Sequence, residues 1–190
     1  MKKNIKDRKW FKLDNAAKLY PSIVSTRVST VFRLSATLYE NIDPIILQEA
    51  LDEILSLFKH FKVRLRRGLF WYYFEEVSFT PKVQEESYYP CMFLDFKDKN
   101  TLPFRIIYYK NRISVEISHS VTDGSGAIVF LKSLLGTYCK LKGLLTDLSL
   151  NELVGMNLYS EEAYEDAFHK YYNSKIHEPP KLNKAFHFPF

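Results

Sequence analysis

The sequence predicts an α+β fold, with a mixed, largely antiparallel sheet flanked by helices. Residues 31–38 alternate apolar and polar side chains, the period of a strand with one apolar face. Residues 104–109 and 112–118 form two further strand-like runs joined by only Lys110-Asn111. A two-residue link suits an antiparallel hairpin and not a parallel crossover. Two other segments, opening at Asp43 and near Gly124, carry apolar residues at helical spacing. Together these favour α+β over a doubly wound parallel sheet.

Residues Trp10 to Tyr20 are of mixed character, and Pro21 ends them. In the first strand Phe32, Leu34, Ala36 and Leu38 alternate with Arg33, Ser35 and Thr37. Asp43-Pro44 then opens a helix, since Asp suits an N-cap and Pro the first turn. Its stripe is Ile46, Leu47, Ala50, Leu51, Ile54, Leu55 and Phe58. A β-rich run follows from Val63 to Phe79: Val63 and Leu65 alternate with arginines, Gly68 interrupts, and Phe70 to Phe74 reads as a strand buried on much of both faces. Pro81 to Lys99 is expected to be a surface loop with at most short structure. On the strand 112–118 the residues Ile113, Val115 and Ile117 share parity with His119, while Ser114, Glu116 and Ser118 take the other face. A helix is predicted from about Ser125 to Lys142, with Gly143 as its stop. A last helix is predicted from Glu161 to about Tyr172, capped by Ser160.

At 190 residues the chain is long enough for one large domain or two small ones, and 46% hydrophobic with 26% charged residues suits a globular protein. No apolar run approaches the roughly 18 residues of a membrane span. The N-terminus is basic and lacks the apolar stretch of a signal peptide. Cys91 and Cys139 are too few for a disulfide framework, so reduced thiols and a cytoplasmic location are expected. The net charge of +5 favours a solvated basic surface over a nucleic-acid patch. There is no zinc-ligand spacing and no Gly-rich phosphate loop.

The segment with most chemistry in it is His119-Ser120-Val121-Thr122-Asp123-Gly124. Imidazole titrates near neutral pH, so a histidine at a strand end is able to take a proton from a hydroxyl, amine or thiol. The alternative is a core histidine satisfied by one backbone partner. The turn favours function: Ser118, Ser120, Thr122, Asp123 and Ser125 crowd it with polar groups, and Gly124 and Gly126 admit close approach. Backbone N–H groups opening the next helix would suit an anion or a developing oxyanion. Other features have plainer readings. His60, His169 and His177 read as surface residues, Cys139 as core, and Arg64, Arg66 and Arg67 as a solvated strand edge more than a phosphate site. Trp71 reads as core more than the lining of an acyl channel.

The pattern His-x-x-x-Asp-Gly, placed between a strand and an amphipathic helix, resembles the active-site signature of the coenzyme A-dependent acyltransferase superfamily. That superfamily includes chloramphenicol acetyltransferase, alcohol acetyltransferases and the condensation domains of peptide synthetases. The likeness is best to the alcohol-acetyltransferase and condensation types and covers roughly residues 8–175. It implies a fold like one half of the chloramphenicol acetyltransferase-like architecture. It implies acyl transfer from a CoA or carrier thioester, a co-substrate rather than a bound cofactor, to a small-molecule alcohol or amine, with His119 as general base and no metal. Asp123 would hold the loop by pairing with an arginine: Arg33 is favoured, with Arg27 and Arg105 as the other candidates. Gly124 would permit the tight entry to the helix. The substrate-binding residues are not indicated.

The pattern also departs from the family. Ser118 stands where many relatives carry a first histidine. The second half of two-domain members, with its Asp-Phe-Gly-Trp-type loop, is missing. Residues 1–175 are therefore expected to be an N-terminal acyltransferase-like domain, and 176–190 a tail or linker toward a C-terminal half. The whole protein would be the acyltransferase, this chain alone supplying an incomplete site. The alternative is a catalytically incomplete half that acts as a binding or dimerisation module, through self-association or through the missing half.

Overall fold

The computed structural model describes residues 10–13, 18–25 and 28–144. The helix predicted at Glu161–Tyr172 and the tail 176–190 lie outside the described residues. The elements run β1 Trp10–Lys12, α1 Tyr20–Ile23, β2 Val31–Thr37, α2 Pro44–Ile54, β3 Val63–Arg67, β4 Tyr72–Glu76, β5 Gln84–Glu85, β6 Phe104–Tyr109, β7 Arg112–Ser118 and α3 Gly124–Leu141. A 3₁₀ turn at Lys59–Phe61 lies between α2 and β3.

The larger sheet has the order β2-β7-β6-β5. Its β2–β7 and β6–β7 pairings are antiparallel, and β5 adds to β6 in parallel. The smaller sheet, β1-β4-β3, is antiparallel throughout. The mixed, largely antiparallel expectation describes both. Lys110-Asn111 does make the hairpin turn, with Lys110 at φ 50°.

The main core lies between the helices and one face of the larger sheet. Leu47, Ala50, Leu51 and Ile54 of α2 and Ala127, Phe130, Leu134 and Tyr138 of α3 pack with Ile106, Ile113, Val115 and Ile117. Asp43 caps α2, its carboxylate accepting from the N–H groups of Ile45 and Ile46 at 2.9 and 3.3 Å. The Tyr138 hydroxyl, at the far end of α3, accepts from Asp43 N–H at 2.9 Å and ties the helices together. At Gly143, φ +73°, α3 ends in paired bonds: Leu144 N–H to Cys139 C=O and Gly143 N–H to Lys140 C=O, both 2.9 Å.

Three sequence expectations change. The helix from Asp43 stops at Ile54, and Leu55 and Phe58 are buried from the turns that follow. β4 begins at Tyr72, so Phe70 and Trp71 are not in a buried strand; they are 89% and 63% exposed. Trp10–Lys12, without periodicity in the sequence, is the edge strand of the small sheet.

Candidate active site

His119 follows the last residue of β7. Antiparallel pairing sets Phe32 opposite Ile117, on the helix-facing side of the sheet. The imidazole extends that row and is held between two aromatic rings. Phe32 lies 4.3 Å away between centroids, and Tyr20 of α1 stacks at 5.1 Å with an interplanar angle of 19°. The His119 N–H donates to the Thr30 carbonyl at 3.0 Å, fixing the backbone across the β2–β7 pair. The side chain is only partly buried, and neither ring nitrogen has a hydrogen-bond partner among the described residues. Such an imidazole keeps a nitrogen free to accept a proton.

The turn after His119 is held by its own polar groups. Ser118 N–H donates to the Pro103 carbonyl at 2.8 Å, Val121 N–H to the Ser118 carbonyl at 3.0 Å, and the hydroxyls of Ser118 and Ser120 lie 2.9 Å apart. Asp123 is the N-cap of α3, its carboxylate accepting from Gly126 N–H at 2.9 Å. This cap takes one of the N–H groups that a bound anion would otherwise share. A Cβ built on Gly126 would lie 2.1 Å from Thr122 Oγ1, whereas one on Gly124 would meet open space. The glycine that the tight helix entry requires is therefore Gly126 rather than Gly124.

The arginine expectation is corrected for Arg33 and Arg105. Asp123 makes no ion pair among the described residues, and Arg33 is committed elsewhere. Its Nε donates to Glu116 Oε1 at 2.7 Å, and it also pairs with Glu86. Arg105 Nε donates to the other Glu116 oxygen at 2.6 Å. Arg27 is not among the described residues. The register explains the outcome: Arg33 and Arg105 both stand opposite Glu116 on the non-helical face of the sheet, three positions before His119.

This polar face is buried. Glu116 is fully covered, and Ser114 and Ser118 are nearly so. The chain from Glu86 to Cys91 crosses it: Cys91 N–H donates to Glu116 at 2.7 Å, and Glu86 links Arg33 to Arg112. Arg33, and then Arg112, hold the Glu86 carboxyl below its ordinary range against the opposing effect of burial. Burial tends to lower the Arg33 pKa, but Glu86 and Glu116 outweigh it and raise it.

The remaining candidates take other roles. Burial raises the thiols of Cys91 and Cys139, the wrong direction for a nucleophile. His60 is not a simple surface residue: it lies against Phe61 at 4.7 Å, and burial pulls its pKa down to about 4. Arg64 and Arg66 both pair with Glu75, at 2.8 and 3.1 Å. Sequence reasoning missed Tyr20 and Phe32. Strand parity could have found Phe32; Tyr20, in a four-residue helix, carries no periodic signal.

Solved structures show the same architecture. The starter condensation domain of rhizomide synthetase RzmA aligns at TM-score 0.59 and 10% identity, over 74% of this chain and 40% of that one. The first condensation domain of the calcium-dependent antibiotic synthetase aligns at TM-score 0.54 and 13% identity, again over 74% and 40%. The chain has a condensation-domain fold. Polyketide synthase associated protein 5 from Mycobacterium tuberculosis shares it at TM-score 0.52 and 14% identity, over 70% of this chain and 33% of that one. The chain thus spans about 40% of the length of the condensation domains it matches. No family model matches the sequence, and no curated protein matches it. No described helix is long and apolar enough to cross a membrane, and no cluster of metal-ligating side chains occurs among the described residues.

Proposed function

We propose that this chain supplies one wall of an acyltransferase active site, with His119 as the general base. In the reaction a free ring nitrogen of His119 takes the proton of an alcohol or amine as that atom attacks the carbonyl of an acyl thioester. The tetrahedral adduct collapses, the C–S bond breaks, and the imidazolium returns its proton to the leaving thiolate. The products are the ester or amide and the free thiol. Asp123 holds the turn through its cap on α3 and does not touch the imidazole as a triad member would. No bound metal or cofactor is required; CoA or a carrier domain arrives with the acyl group.

The observation that supports this most is the His119 ring, fixed between Tyr20 and Phe32 with its nitrogens unpartnered among the described residues, in a condensation-domain fold. A variant of the rhizomide synthetase starter condensation domain was solved in complex with C8-CoA, which supports a CoA thioester as the donor. The other wall is proposed to come from a second half of the protein or from another copy of the chain.

His119→Ala in the full-length protein tests the assignment. Acyl transfer should fall by about 10²–10⁴-fold, the usual contribution of a general base, with the chain still folded by circular dichroism. Full activity in the variant would exclude His119 as the base and leave the binding-module reading.

A further inference from the structure

The arginine run and the aromatic run of the sequence both fall outside the His119 site, on the small sheet. The structure joins them at one hairpin tip, between β3 and β4. Gly68 N–H donates to the Trp71 carbonyl at 2.7 Å and closes the turn. A Cβ at Gly68 would lie 3.1 Å from that same carbonyl oxygen, so the position favours glycine. The closed turn projects Leu69, Phe70 and Trp71 outward at 90%, 89% and 63% exposure. The Phe70 and Trp71 rings lie 6.5 Å apart.

The surroundings are cationic. Residues 62–76 contain Lys62, Arg64, Arg66 and Arg67 against Glu75 and Glu76, with Glu75 pairing Arg64 and Arg66. Arg67, the last residue of β3, is exposed and has no ion-pair partner among the described residues. Lys12 of β1 stands opposite Tyr73 of β4 and is exposed as well.

We propose that this tip docks on an anionic membrane surface. Three consecutive apolar side chains at a two-stranded tip are too few for a stable protein interface, which needs roughly 800 Å² per partner. They suit shallow insertion at the headgroup boundary, where Trp rings are favoured. An apolar insert combined with neighbouring basic residues is the two-part signal that peripheral binding needs, and the positive charge selects anionic lipid.

The test is co-sedimentation of the 190-residue chain with phosphatidylcholine vesicles, with and without phosphatidylserine. Binding is expected only with phosphatidylserine. Phe70→Ser with Trp71→Ser should lower the partition coefficient about tenfold or more without changing the thermal melt. Arg67→Glu, which leaves the apolar tip in place, should weaken binding in the same direction. In a Trp10→Phe background the remaining Trp71 fluorescence should shift to the blue on adding these vesicles. Binding that ignores phosphatidylserine, or survives both changes, overturns the proposal. So does a concentration-dependent dimer that the tip variant abolishes, which would make a second copy the occupant. A salt-sensitive affinity for nucleic acid without vesicle binding overturns it equally.

Discussion

Replacing Glu116 with Gln tests whether the charge network beneath the sheet holds the loop over it. Glu116 is fully covered, with Arg33 and Arg105 on its two oxygens and Cys91 N–H on one of them. Gln keeps the shape and one accepting oxygen but removes the charge. Breaking a buried ion pair from one side costs about 3–5 kcal/mol, because the remaining charge stays buried without its partner. Here Arg33 retains Glu86, and the two arginine side chains are 13% and 18% exposed, so some water reaches them. The expected loss is therefore at the lower end, about 3 kcal/mol. A chain of this size loses about 2–4 °C of melting temperature per kcal/mol, so Tm should fall by about 6–12 °C. Thermal unfolding followed by circular dichroism measures it. A cycle with Arg105→Met, singly and together with Glu116→Gln, should show a coupling above about 1 kcal/mol. A Tm within about 2 °C of the parent, or a coupling near zero, would refute the view that this carboxylate is held by its charge.

Two further predictions concern the turn and the half-buried His60. Gly126→Ala should destabilise the chain by about 1–3 kcal/mol, since the added methyl group meets Thr122 Oγ1; Gly124→Ala, with open space around it, should be neutral or slightly stabilising in the same denaturant titration. His60 is held at about 4 against an ordinary 6.5, so the unfolded chain binds the extra proton between those pH values. Its contribution is fully present above pH 6.5 and is lost as pH falls toward 4, by at most about 3 kcal/mol. His60→Gln should flatten this part of the stability profile, and an unchanged slope would show that His60 titrates normally in the fold. Glu86, also depressed, adds acid sensitivity only below its ordinary value of 4.5.

How far the sequence carried depended on the range of each interaction. The 104–118 hairpin, the 31–37 strand and the α3 helix were legible because periodicity and turn chemistry act between near neighbours. Asp43 and Gly143 were read as cap and stop for the same reason, and both act so in the structure. β1 was not legible: three residues hold no period, and their pairing depends on β4, far along the chain. The two-residue β5 was equally hidden, since it exists only by adding to β6.

The site divides along the same line. The sequence by itself determined that a histidine closes an apolar strand, that a carboxylate follows at the mouth of a helix, and that Ile113, Val115, Ile117 and His119 share one face. Those are consequences of chain geometry over a few residues. Only the tertiary structure decided what covers each face. Distant segments brought Tyr20 and Phe32 around the imidazole and laid the Glu86–Cys91 stretch over Glu116. That burial drew Arg33 to Glu116, where its charge is most needed, and left Asp123 to cap α3 with its own carboxylate. The outward-facing hairpin tip was decided in the same way, because exposure depends on whether any other part of the chain arrives to cover it.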